Sequence, residues 1–272
     1  MTLASPPRRP RPEKVTIGAS EVGILRMGSP DLSPLVLVHG FSGDMMTWQF
    51  NIGALSRRHH VIAIDLPGHG LSGNRPDVGH WRSMALWLGE ALEALDLRRP
   101  HMVGHSLGGR LSLCLGENGH DLRSVTMIAC AGITPGYDYD FLLRLSRINS
   151  FEEALACSRR LFGEAEIDLD RFARALAEKL SEPEAQASLA HYLAENFAEG
   201  KLLPSAPVDW RKLTVPLQFI WGKDDSVIAQ ALPGSLPANA ECHVLERVGH
   251  LPHMAAPERV NRLVADFTEA TD

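Results

Sequence analysis

The sequence predicts an α/β fold, on three observations. Short apolar runs alternate with helical patterns through the first half of the chain and again at its end. The middle runs are β-branched and apolar on both faces, as strands of a parallel sheet covered by helices should be. Finally, 272 residues with 44% hydrophobic side chains can bury a sizeable core without disulfide or metal staples.

In chain order, strands are expected at Val15–Ile17, Gly23–Leu25, Leu35–Val38, Val61–Ile64, His101–Val103 and Val125–Ala129, then at Leu217–Trp221 and His243–Leu245. Helices are expected over Trp48–Arg57, His80–Leu95, Leu107–Asn118 and Pro257–Thr268. Residues 134–211 break this rhythm. Phe141, Leu142 and Leu145, then Phe151, Leu155 and Phe162, recur at helical spacing, as do Phe172, Leu176 and Leu180, and later Leu189, Tyr192, Leu193 and Phe197. With no strand pattern between them, they predict an all-helical cap at 134–211, inserted into a core of 14–133 and 212–272. Pro204, Pro207 and Pro216 mark the return to the core.

Residues 1–13, rich in Pro and Arg, are expected to form a flexible tail. The Arg pair there has no apolar stretch behind it, as a secretory signal would require, so a cytoplasmic location is expected. The net charge of −6 argues against a nucleic-acid partner, and no apolar run approaches a membrane span. Residues 151–200 carry 11 acidic and 5 basic side chains, so the excess acidity lies in the cap. Those charges are either a solvated outer face or a barrier to anionic substrates. Cys114, Cys130, Cys157 and Cys242 lie in apolar stretches without CxxC spacing and are expected to be buried thiols. His59, His60 and His243 are expected on the surface or in strands, and no histidine shows zinc-ligand spacing.

The chemistry is concentrated in loops after strands. Gly104-His-Ser106-Leu-Gly108 follows a strand and opens a helix, where a nucleophilic Ser needs unusual backbone angles and small neighbours two residues to either side. Ser42 and Ser72 lack the second glycine. The Leu107 amide and the Phe41 amide, from Leu37-Val-His39-Gly40-Phe41, can offer two donors to a tetrahedral oxyanion. A strand runs into Gly222-Lys-Asp224-Asp225, which places two carboxylates past its carboxyl end, with Asp225 preferred as the acid. Val248-Gly249-His250-Leu-Pro252-His253 supplies the base, with His250 preferred over His253. Ser42 and His253 are candidate pocket residues. His39, Asp65 and His69 are expected to stabilise their loops. Neither a GxxxxGK[ST] loop nor a GxGxxG after the first strand is present, so no nucleotide cofactor is implied, and no metal.

Taken together, His39-Gly40, Asp65-Leu-Pro-Gly-His-Gly70, Gly104-His-Ser-Leu-Gly-Gly109, Trp221-Gly-Lys-Asp-Asp225 and Gly249-His250 resemble the α/β-hydrolase superfamily from about residue 13 onward. The resemblance implies a mostly parallel eight-stranded sheet, helices on both faces and a helical cap. It also implies Ser106 as nucleophile, Asp225 as acid and His250 as base, and a serine nucleophile disfavours the branches that attack with a carboxylate. Leu37-Val-His-Gly-Phe-Ser-Gly-Asp44, Ala129-Cys-Ala-Gly-Ile-Thr-Pro135 and Gly249-His-Leu-Pro-His-Met254 look most like the hydrolase-like acyltransferase component of acetoin dehydrogenase complexes, without its lipoyl domain. The expected activity is hydrolysis of a small or medium acyl ester or thioester. Acyl transfer to a thiol or alcohol, and carbon–carbon bond hydrolysis with the same three residues, are the alternatives. The expected partner is a small-molecule acyl substrate. Whether the protein is a monomer or a dimer is left open.

Overall fold

A computed structural model describes residues 11–134, 136–203, 207–231 and 234–272. Most of the tail expected at 1–13, together with Pro135 and Pro204, lies outside the described residues. The sheet opens with β1 (Glu13–Ile17) and β2 (Ser20–Met27), a pair joined by a tight turn and therefore antiparallel. Next come β3 (Pro34–Val38), β4 (His60–Ile64), β5 (His101–His105) and β6 (Ser124–Ile128). After the insertion the sheet resumes with β9 (Leu217–Gly222) and β10 (Glu241–Leu245). A two-stranded ladder inside the insertion supplies β7 (Phe197–Ala198) and β8 (Lys201–Leu202). The main sheet has eight strands in the order β1-β2-β4-β3-β5-β6-β9-β10, parallel from β4 onward.

Alternation along the strands divides the core in two. Val36, Val38, Ile62 and Ile64 face one apolar cluster, whereas Leu35, Leu37, Val61 and Ala63 face the other. The first cluster packs under α2 (Trp81–Ala94), α3 (Leu107–Glu117) and the insertion, and the second under α1 (Ile52–Leu55) and α9 (Pro257–Glu269). The sheet is thus buried on both sides, as its two-faced apolar runs require.

The insertion between β6 and β9 carries α4 (Tyr139–Leu145), α5 (Phe151–Phe162), α6 (Leu169–Leu180) and α7 (Pro183–Asn196). Asp138, Ser150 and Asp168 cap the first three by accepting from backbone amides of the first turn. It is not all-helical, as the sequence suggests, because Phe197 and Ala198 pair with Lys201 and Leu202 across a Glu199-Gly200 turn with positive φ at both residues. Two residues per strand are too few to write an alternating pattern.

Three further expectations are corrected. The helix expected over Trp48–Arg57 is a 3-10 turn at Met45–Trp48 followed by the four-residue α1. Asp44 starts that turn early, its side chain accepting from Met46 N (2.8 Å) while its own amide donates to Thr47 Oγ1 (3.3 Å). Cys242 is exposed because β10 is an edge strand, while the other three thiols are buried. His59 precedes β4 and is buried, with Nε2 donating to Thr268 Oγ1 (2.9 Å).

Candidate active site

The loops after β3, β5, β9 and β10 meet at the carboxyl ends of the parallel strands, where open α/β sheets place their sites. Ser106 stands between β5 and α3 with φ 52° and ψ −112°. Packing on both sides makes this turn possible. A Cβ at Gly104 would lie 2.3 Å from the Gly108 carbonyl oxygen, and one at Gly108 would lie 2.2 Å from that of Val38. Three backbone bonds pin the serine itself: its amide donates to Ile128 O (2.8 Å), and its carbonyl accepts from Ala131 N (3.1 Å) and Arg110 N (3.2 Å).

The loop after β3 lies against this turn. A Cβ built on Gly40 would fall 3.0 Å from the Ser106 Cβ, so Gly40-Phe41 passes directly over the serine. Leu107 opens α3, and the first amides of a helix have no acceptor within it. His39 bonds its loop at both nitrogens, with Nδ1 donating to Gly40 O (2.8 Å) and Nε2 accepting from Leu66 N (2.9 Å). Burial drives its pKa down to about 3, which keeps the ring neutral and able to do both. Asp65 accepts from Met45 N (2.6 Å) and Leu71 N (2.7 Å), clamping two loops, and burial pushes its pKa up to about 7. His39 and Asp65 therefore serve the loops, as expected. His69, with Nδ1 donating to Pro67 O (3.0 Å), does likewise.

On the opposite side, His250 Nδ1 donates to Asp225 Oδ2 across 2.8 Å, with both side chains buried. Asp225 Oδ1 accepts from the Val227 and Ile228 amides at 2.9 and 3.0 Å. Burial alone would raise this carboxyl, but the neighbouring His250 and the three hydrogen bonds hold it below its usual value. Of the two adjacent carboxylates, Asp225 is the one against the imidazole; the Asp224 amide donates to Val248 O (2.9 Å).

His250 is fixed along its backbone by groups that sequence reasoning missed. The amides on either side of it, Gly249 N and Leu251 N, donate to Phe162 O (3.0 Å) and Leu161 O (3.2 Å) at the end of α5. Its own carbonyl accepts from His105 Nε2 (2.8 Å), whose ring lies edge-on to that of His250 with centroids 4.8 Å apart. A histidine beside the candidate nucleophile was the available signal for that contact. The α5 carbonyls carried none, since any residue supplies one.

A cavity of about 520 Å³ joins these groups, lined by Ser106, His250, Phe41, Ser42 and apolar cap side chains. His253 does not line it, contrary to expectation. The short helix α8 (Pro252–Ala255) turns its ring away, packed between Trp48 and His105 at centroid distances of 4.4 and 4.7 Å. Both ring nitrogens are buried without a partner, and burial lowers the pKa to about 3. Across the cavity, Lys179 of α6 donates to Asp44 Oδ2 (3.0 Å), joining the cap to the loop that carries Phe41. Among the described residues no helix is long and apolar enough to cross a membrane.

A family model described as the alpha/beta hydrolase family matches residues 35–263, most of the chain. The chain belongs to the alpha/beta hydrolase family. The chain is 30% identical over 270 residues to the dihydrolipoyllysine-residue acetyltransferase component of an acetoin cleaving system from Pseudomonas putida, covering 95% of this chain and 69% of that protein. It is also 26% identical over 260 residues to monoacylglycerol lipase abhd6-B of Xenopus laevis, covering 88% and 77% of the two chains. Among solved structures it is similar to 2-hydroxy-6-oxo-6-phenylhexa-2,4-dienoate hydrolase from Rhodococcus sp. strain RHA1, with a TM-score of 0.82 at 18% identity over 96% of this chain and 99% of that one. At that identity the likeness is one of fold. Those three proteins are named for three different reactions, and a shared fold does not by itself fix the chemistry of a site.

Proposed function

We propose that the protein is a serine hydrolase that cleaves a small or medium acyl ester or thioester through an acyl-enzyme on Ser106. The observation that carries this is the 2.8 Å bond from His250 Nδ1 to Asp225, made beside a cavity that both His250 and Ser106 line. With Nδ1 committed as a donor, Nε2 is the basic nitrogen of His250.

In this reading Ser106 Oγ adds to the acyl carbon while its proton passes to His250 Nε2. The carbonyl oxygen takes up the negative charge, facing the Phe41 and Leu107 amides; losing one such donor typically costs about 2.7–4 kcal/mol in barrier. Collapse breaks the bond to the leaving oxygen or sulfur, which takes the proton from Nε2. Water then repeats the sequence: it gives a proton to Nε2, adds to the acyl carbon and displaces Ser106 Oγ, which recovers that proton as the acid leaves. Asp225 stabilises the imidazolium twice per turnover and takes no proton itself.

Acyl transfer is the second reading, favoured by the relative that is an acetyltransferase component. It differs only in that a thiol or alcohol replaces water in the second half. The test is p-nitrophenyl ester cleavage by the wild-type protein and by Ser106→Ala, with products quantified in the presence and absence of an added thiol. Free acid as the main product, lost in Ser106→Ala, supports hydrolysis. Mainly transferred acyl product replaces it with the second reading, and retained turnover in Ser106→Ala removes Ser106 from its role. Carbon–carbon cleavage is checked in the same way with a dienoate ketone as substrate.

A further inference from the structure

The cavity beside Ser106 has two unlike halves. One is an apolar wall of Phe141 and Leu145 from α4, Leu161 from α5 and Leu176 from α6, completed by Val227 and Leu251. The other, between α6 and the loop after β3, is polar: Asp44, Glu178, Lys179 and Glu182 line it, with Glu178 and Glu182 exposed at its edge. An adjoining cavity of about 500 Å³ shares Ser42, Gly43, Lys179 and Glu182 and adds Glu184.

Among the described lining residues of both cavities, Lys179 is the single lysine or arginine, and it is bound to Asp44 at 3.0 Å. Its charge is therefore already matched, and Glu178 and Glu182 at the polar half, with Glu184 in the adjoining cavity, have no lining lysine or arginine of their own. This local excess lies within the acidic stretch at 151–200, so the wider field has the same sign as the rim.

We propose that the site takes an amphiphilic ester, with an apolar medium-length acyl chain on the cap wall and an uncharged or cationic alcohol at the acidic half, and turns away polyanionic thioesters. This rests on the serine-hydrolase reading. An apolar chain gains from leaving water along that wall. A neutral polyol or a quaternary amine meets acceptors or opposite charge at the other half, whereas a nucleotide-bearing leaving group brings several phosphate charges against three carboxylates. Like charges at the rim of a cavity slow encounter and weaken binding, and salt reduces both effects.

The experiment compares kcat/KM for three octanoyl substrates, 1-octanoylglycerol, octanoylcholine and octanoyl-coenzyme A, with p-nitrophenyl octanoate as the reference. At low ionic strength the glyceryl and choline esters are expected to exceed the coenzyme A thioester by about tenfold or more, with the gap narrowing as salt is added. Glu178→Gln/Glu182→Gln should narrow it several-fold and Glu178→Lys further, read as the ratio between substrates. Equal or faster turnover of octanoyl-coenzyme A at low salt, or a ratio unmoved by either variant, overturns the inference. If p-nitrophenyl octanoate is cleaved while none of the three is, the inference fails and the hydrolase reading stands. If p-nitrophenyl octanoate is also untouched, both fail.

Discussion

The loops of the sheet and the helices of the cap line one cavity but are held there by different means. At Ser106 the backbone is fixed by three hydrogen bonds, and the flanking glycines leave no room for a side-chain atom. α6, across the cavity, buries Ala173, Leu176 and Leu180, and its side toward the loop after β3 is tied there by the partly exposed Lys179–Asp44 pair. α5 is intermediate, since its last carbonyls hold the amides on both sides of His250. Close packing of this kind is intolerant of change, while a solvated ion pair is worth little by itself. Substitutions in the sheet loops should therefore abolish chemistry, and those on α6 should alter which substrate is handled.

The largest effect that follows is on Ser106→Ala, expected to lower kcat by on the order of a millionfold while the far- and near-ultraviolet dichroism stay native. Asp225→Asn should cost about ten-thousandfold in kcat, because the amide favours the wrong tautomer of His250. Asp224→Asn, one residue away, should cost less than about tenfold; if it is the more damaging of the two, the acid is misassigned. Gly108→Ala should fail in stability as well as activity. The added methyl must displace Val38, an overpacking typically worth about 1–3 kcal/mol, visible as a lower urea midpoint.

Acid should reveal the same contrast as a pH effect. Burial holds His39, His69 and His253 neutral, with pKa values of about 3, 4 and 3 against an ordinary 6.5. Between those limits the unfolded chain binds more protons, so stability falls as pH drops through 6.5 toward 3 or 4. Asp65, raised to about 7, works the other way from 7 down to 3.8, but it is one group against three. Urea midpoints at about pH 7.5 and pH 5 should differ accordingly, and His253→Phe should flatten part of the dependence by removing two unpartnered buried nitrogens. A stability that rises on acidification would show Asp65 to be dominant. The smallest effect is expected for Lys179→Met: about 1 kcal/mol or less in stability, since the pair is partly exposed, with KM changing more than kcat.

How far the sequence could be read follows from the same physics. The sheet was legible because strands buried on both faces are written as continuous β-branched runs, and the Ser106 turn because its packing leaves glycine as the only fit. The pairing of Asp225 with His250 could be narrowed from strand ends and spacing, although the two lie 25 residues apart. What stayed hidden depended on contacts without a residue signature. The α5 carbonyls beside His250, the Asp44–Lys179 pair across 135 residues and the burial of His253 behind Trp48 are of this kind. The exposure of Cys242 is another, since an apolar pattern does not tell an edge strand from a central one.

The turn at Ser106 has a thermodynamic consequence. A side-chain-bearing residue held at φ 52° and ψ −112° carries backbone strain on the order of 1–3 kcal/mol, and it persists because the neighbouring hydrogen bonds over-determine it. With Ser106 as the proposed nucleophile, activity and stability pull in opposite directions at this one residue. Ser106→Gly would relieve the strain and is expected to raise the resistance to unfolding while removing the proposed nucleophile, so a selection for stability alone would discard that serine.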